Sequence, residues 1–263
     1  MFNYHTHTYR CKHASGDTQE YAAHALKAGL CSLGMSDHTP FPDHRWTENV
    51  RMEWEELPDY FASIDKAQAA FPELNIFRAL ECEYDPKLES FYTEIKQQWN
   101  LDYMIGAVHW IPHEGEWINF NKNLGLPHLV SYTKNLIQAM ESGHFLFMAH
   151  PDNWASWSLP WNEEVKACCR DVFSTALRLK IPLEINGYGY RKKMVMGERG
   201  LRPPYPWRPY WEMAAQYGVS VLYNSDAHKP SDVYASADQG LALIRDIGLN
   251  AVDPLKGKVP KNV

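Results

Sequence analysis

Seven short apolar runs alternate with helical patterns along this chain, and six of the seven end on a histidine or an acid. The alternation is the stronger constraint on the fold. The runs fall at 1–4, 31–35, 75–80, 103–108, 145–149, 182–185 and 219–223. Between them lie segments with helix start and stop chemistry. Asp17-Thr18-Gln19-Glu20 has the layout of a capping box, with Gly29 placed to end the helix it opens. Asn162 is placed to cap another helix, which stops before Pro182. Strands that alternate with helices predict a parallel sheet covered by helices. Seven such units, with no glycine-rich phosphate turn after the first strand, favour a barrel over an open doubly wound sheet. The expected fold class is therefore α/β, a (β/α)7 barrel. No repeat or low-complexity linker divides the chain, so residues 1–263 are expected to form a single domain. At 45% hydrophobic and 22% charged, the chain can bury a sizeable core.

The strand ends carry the chemistry. They read His5-Thr6-His7, Ser36-Asp37-His38, Glu81, His109, His150 and Asn224-Ser225-Asp226-Ala227-His228. All lie at the carboxyl ends of their strands, where barrel enzymes place their sites. His5 and His7 are two residues apart, as are Asp226 and His228. Side chains at i and i+2 of a strand share a face, so each pair can converge on one metal or on two neighbours. Imidazole with carboxylate suits Zn²⁺, Fe²⁺ or Mn²⁺. A single histidine at a strand end is more often structural than ligating. Six strand ends with separate structural reasons are a poorer explanation than one metal cluster.

Other properties exclude whole classes. The net charge of −6 offers no global basic field for nucleic acid or an anionic membrane. No apolar run approaches the roughly 20 residues that span a bilayer. The first residues, MFNYHTHTYRCKH, lack the layout of a signal peptide, so the cytoplasm is the expected location. Cys11, Cys31, Cys82, Cys168 and Cys169 are scattered and odd in number, which predicts free thiols.

In HTHTYRCKHASGD, GMSDHTPF, ALECEYDP, GAVHW, MAHPDNW, LEINGYGYRKK and NSDAHKPSDV, taken in this order, the chain resembles the polymerase and histidinol phosphatase (PHP) family. The likeness is greatest to its monofunctional L-histidinol phosphate phosphatases and runs over nearly the whole chain. It implies a distorted (β/α)7 barrel holding three divalent metal ions. It implies one ion on His5, His7, Glu81 and Asp226, a second on Glu81, His109 and His150, and a third on His13, His38 and His228. His13, in the first loop, enters only through the resemblance. The activity implied is metal-dependent hydrolysis of L-histidinol phosphate to L-histidinol and phosphate, in histidine biosynthesis.

On this reading Asp226 or His228 protonates the leaving alkoxide, or Asp226 only orients the attacking hydroxide. Arg191 matches the position of a phosphate-binding arginine in similar phosphatases, and a guanidinium fork suits that group. The other cations of the loop 187–208, Lys192, Lys193, Arg199, Arg202 and Arg208, are read as solvated. Asp17 is expected to cap a helix and is a candidate for the substrate amine. His44, with Arg45 and Trp46, is a candidate lining of the substrate pocket. Trp154, Trp157 and Trp161 either line that pocket or roof the barrel. The partner is expected to be a small phosphate ester. The competing readings are a related phosphoesterase acting on another monoester or a diester, and a metal-binding module without catalysis. An amide hydrolase is disfavoured, because no strand end offers the lysine that joins metals in such sites.

Overall fold

A computed structural model of the protein describes residues 1–46, 50–122, 124–198 and 200–261. Arg199, read above as a solvated cation, lies outside the described residues. In chain order the elements begin β1 Phe2–Asn3, α1 Thr18–Lys27, β2 Ser32–Met35, α2 Leu57–Ala70, β3 Asn75–Glu83, α3 Glu89–Gln98 and β4 Tyr103–Ala107. They continue with β5 Trp110–His113, β6 Glu116–Asn119, α4 Leu126–Ser142, β7 Phe147–Met148, α5 Glu163–Leu179, β8 Leu183–Asn186 and α6 Tyr188–Arg191. The last are β9 Val195–Gly197, β10 Gly200–Arg202, α7 Arg208–Tyr217, β11 Ser220–Asn224, α8 Ala237–Ile247 and β12 Asn250–Ala251.

The main sheet runs β1-β2-β3-β4-β7-β8-β11-β12, with every pairing parallel. The first seven of these strands are the seven expected, and they curl into a distorted (β/α)7 barrel. The seam lies between β11 and β1. β12 takes the edge of β11 at Ser220 and Val221. Beyond β11, the edge instead meets the continuation of β1 through a parallel bridge from Thr6 to Ala227. Two asparagines stitch the seam where backbone pairing lapses. The backbone N–H of Tyr4 donates to the Asn224 side chain at 2.7 Å, and that of Ser225 to the Asn3 side chain at 2.9 Å. The closure matters for function because it brings the His5-Thr6-His7 and Asp226-Ala227-His228 segments side by side.

The core has two parts. Alternate residues such as Phe77 and Ala79, Tyr103 and Ile105, Phe147 and Leu222 fill the barrel interior. A larger cluster, including Ile64, Leu80, Met104, Leu136, Phe173 and Trp211, joins the strands to the helices outside. The period of two explains the site's position. Continuing up the interior face from Phe77 and Ala79 gives Glu81. The same step leads from Tyr103, Ile105 and Ala107 to His109, and from Leu222 to Asn224 and Asp226. The apolar plug gives way to polar side chains at one end.

Two hairpins absent from the strand count decorate that end. β5 and β6 join through Glu114 and Gly115, both at positive φ (51° and 86°), the signature of a tight hairpin turn. β9 and β10 form the other, within the segment read from sequence as an irregular loop. Asp17 and Glu20 complete the expected capping box on α1. All five cysteines are free.

Candidate metal centre

A cavity at the carboxyl end of the barrel is lined by His7, His13, His38, Glu81, His109, His150, Asp226 and His228. His5 lies fully buried beneath it, its Nε2 3.1 Å from Nε2 of His7. Glu81 is at the centre. His5 Nε2 is 3.4 Å from one of its oxygens, and His150 Nε2 is 3.0 Å from the same one. His38 Nδ1 is 2.8 Å from the other. Asp226 places Oδ1 3.0 Å from His7 Nε2 and 3.6 Å from His5 Nε2. His13 and His228 face each other across 3.0 Å, Nε2 to Nε2. His38 joins groupings with His7 and His228 and with Glu81 and His109.

Two of these side chains owe their aim to backbone conformation. His150 has φ of 29° and Asp226 of 49°. Left-handed backbone is costly for residues with a Cβ and collects at functional sites. At His150 it breaks the strand alternation, turning into the cavity a side chain that follows directly on the inward-facing Ala149.

The hydrogen bonds behind the imidazoles decide which nitrogen is free. His13 Nδ1 lies 2.7 Å from the Cys11 carbonyl oxygen and His228 Nδ1 3.1 Å from the Asp226 carbonyl oxygen. A carbonyl only accepts, so each Nδ1 carries the proton and, in a neutral ring, each Nε2 presents a lone pair. Two lone pairs 3.0 Å apart repel unless a cation lies between or beside them. His5 Nδ1 meets Glu184 at 2.9 Å and His109 Nδ1 meets Glu83 at 2.7 Å, the carboxylate backing common behind metal-binding imidazoles. Glu81 Oε2 and Asp226 Oδ1 are buried with no aligned hydrogen-bond partner among the described residues, although nitrogens crowd both. Unpaired carboxylate oxygens and opposed imidazole lone pairs fit a divalent metal cluster.

Protonation follows the same pattern. Burial pushes the Glu81 and Asp226 carboxyls up, yet neighbouring imidazoles hold both well below the usual range. Burial, reinforced by the positive charge of His7, holds His38 and His228 well below an ordinary histidine. Burial lowers His5 and His7, but carboxylates outweigh it. Glu184 and Asp226 raise His5 well above the ordinary value, and Asp226 with Asp37 raises His7 to about 9. A metal in the cluster would displace those protons.

Other expected residues sit elsewhere. Arg191 is held under the strand end, with Nη2 donating to the carbonyls of Ser225 at 2.8 Å and Asp226 at 3.2 Å and Nε 3.5 Å from Asp232. The cavity wall at this point is the next residue, Lys192, which the sequence reading left in solvent. Arg202 departs from that reading too, lying over the Trp207 ring and donating to the Ala155 carbonyl. Asp17 is consumed by its cap and by a bidentate pair with Arg10 at 2.6 and 3.2 Å, away from the cavity. His44 is exposed outside the cavity, its Nδ1 3.7 Å from Glu53. Trp154 and Trp157 are buried and Trp161 packs on Trp207, so they roof the barrel. The aromatic wall of the cavity is instead Trp110, Phe120, Tyr188 and Tyr205.

Sequence reading overlooked Glu83 and Glu184. Glu83 follows Glu81 by the same two-residue step that made His5 and His7 legible. Glu184 is a lone acid inside an apolar strand, where an unpaired charge is prohibitive.

The geometry finds its counterpart among known proteins. The PHP domain family matches residues 3–187. A Deinococcus radiodurans protein named "Probable histidinol-phosphatase" is 31% identical over 251 residues, covering 93% of this chain and 92% of its own. A Schizosaccharomyces pombe protein of the same name is 22% identical over 292 residues, covering 98% and 92%. The solved histidinol phosphate phosphatase of Lactococcus lactis, complexed with zinc, L-histidinol and phosphate, superposes with a TM-score of 0.74 at 16% identity, over 95% of each chain. The extent of the family match and the 31% relative establish that this chain belongs to the PHP domain family.

Proposed function

We propose that this chain hydrolyses L-histidinol phosphate to L-histidinol and phosphate, a step of histidine biosynthesis, using divalent metal ions held at the end of its barrel. The observation that carries the hydrolytic reading is the cluster around Glu81, with unpaired carboxylate oxygens opposed to imidazole lone pairs. The substrate is supported by the relatives, two named for this activity and one complexed with both products.

Three ions, of zinc, iron or manganese, are proposed. His5, His7, Glu81 and Asp226 would hold one, Glu81 with His109 and His150 a second, and His13, His38 and His228 a third. When bound, they supply positive charge to the phosphoryl oxygens and acidify water near neutral pH. The chain's own groups do the rest. Glu81 stays ionised in a buried setting and sets the spacing of the cluster. Asp226 and His228 lie together on the cavity wall, and one of them is proposed to take up the proton released by the attacking water and pass it to the leaving alkoxide. Arg191, catalytic in the implied family scheme, acts here by gripping the Ser225–Asp226 backbone and so fixing the direction of Asp226. The substrate is a small molecule. No helix among the described residues is long and apolar enough to cross a membrane.

The test is phosphate release from L-histidinol phosphate by protein loaded in turn with Mn²⁺, Fe²⁺ or Zn²⁺, beside a simple monoester and a diester. Selective release from L-histidinol phosphate is expected. Faster cleavage of the diester or of the simple monoester would keep the metal centre and overturn the substrate. No release from any ester would leave a metal-binding module without catalysis.

A further inference from the structure

We infer that Lys192 is the side-chain cation that grips the substrate's phosphoryl group. The inference rests on the phosphatase reading above and deepens it, because neither the family match nor any relative's name assigns this residue. Lys192 follows α6 and forms part of the cavity wall with His150 and Asp226. Its ammonium lies 4.9 Å from the ring centre of Tyr188, 5.3 Å from that of Tyr205 and 5.8 Å from that of Phe120. Among the described residues it has no hydrogen-bond acceptor or ion-pair partner. Aromatic faces stabilise a cation but take none of its three N–H donors, which stay available at the cavity wall.

The cage is built, not incidental. A Cβ at Gly189 would lie 2.1 Å from the Tyr205 carbonyl oxygen, so only glycine lets α6 seat against Tyr205. That contact sets Tyr188 and Tyr205 about the lysine. Desolvation lowers the affinity of Lys192 for its proton, and Asp226 and Glu81 oppose this. Once divalent ions neutralise those carboxylates, the ammonium faces a cluster of its own sign. The group then able to satisfy its donors in this cavity is an anion lying between it and the metals. A phosphate monoester dianion meets that need, with oxygens enough for both sides. Arg191 and Lys192 thus divide the work, the first ordering the strand end and the second meeting the anion.

The experiment measures inorganic phosphate binding by calorimetry to Mn²⁺-loaded wild type, Lys192→Met, Lys192→Arg and Lys193→Met, with metal content and melting temperature checked for each. Kinetics with L-histidinol phosphate accompany it. Methionine keeps the apolar stem in the aromatic cage, so the fold should survive. Lys192→Met should weaken phosphate about 10- to 100-fold and raise the substrate KM similarly. Lys192→Arg should recover most of the loss, and the exposed Lys193→Met should match wild type. Unchanged phosphate affinity in Lys192→Met at full metal content would overturn the inference. So would equal loss in the methionine and arginine variants, and should Lys192→Met fail to fold, Lys192→Gln takes its place with the same two outcomes. Phosphate binding that depends on Lys192 in a protein inert toward L-histidinol phosphate would keep the inference and reject the substrate.

Discussion

Glu81 shows how much one buried carboxylate can organise. It has 1% of its surface exposed, and imidazoles from four strand ends come within 4 Å of it. The residues behind these imidazoles matter as much. Glu184 accepts from His5, from the His150 backbone N–H at 3.0 Å, and from the amides of Asn186 and Asn224. It therefore fixes a ring and a strand end together. Glu184→Ala is expected to weaken metal binding about 10- to 100-fold, read by competition with a chromophoric chelator. Wild-type affinity in that variant would deny Glu184 its orienting role. On the proposed assignment Asp226 bears on turnover more than on occupancy, because the other proposed ligands remain when it is changed. Asp226→Asn should lower kcat by at least about 100-fold while elemental analysis finds most of the metal still bound. Near-normal turnover would remove Asp226 from the chemistry.

Between elements, the loop after β7 and the start of α7 are tied through Asp152. Its carboxylate accepts from the Trp207 backbone N–H at 2.6 Å and from the Trp211 indole at 2.9 Å. Burial pushes its pKa from 3.8 up to about 7, with those two donors only partly opposing the shift. The unfolded chain loses this proton from about pH 4 upward, whereas the folded chain keeps it to about pH 7. Ionisation therefore favours the unfolded state across that window, and this group's contribution to stability falls as pH rises from about 4 to 7 and then levels off. Asp152→Asn retains an acceptor and cannot ionise. Urea midpoints at pH 5 and pH 7.5 should differ less in the variant than in wild type, and parallel shifts would contradict the assignment. Elements of this kind were only partly legible. The cap at Asp17 and the stop at Pro182 are local chemistry, readable from neighbouring residues. The β5–β6 hairpin turns on a Glu-Gly pair that carries little signal by itself. Lys192 was misread because its environment comes from Tyr205 and Phe120, both distant in sequence.

Across the whole molecule, strand alternation made the barrel legible, and period-two spacing marked much of the histidine and carboxylate cluster at its end. The closure was not. It depends on Thr6 meeting Ala227, and on Asn3 and Asn224 replacing backbone pairs, across more than 200 residues of chain. His13 has no strand periodicity to mark it and entered only by family likeness. For the assembled protein the proposal is that metal held around Glu81 lets the chain hydrolyse L-histidinol phosphate. The most direct test titrates Mn²⁺ into metal-free wild type and Glu81→Ala while following phosphate release from L-histidinol phosphate. Activity should rise with bound metal in the wild type and stay near background in Glu81→Ala at every metal concentration. Equal activity in the two proteins, or wild-type release that ignores added metal, would contradict the claim.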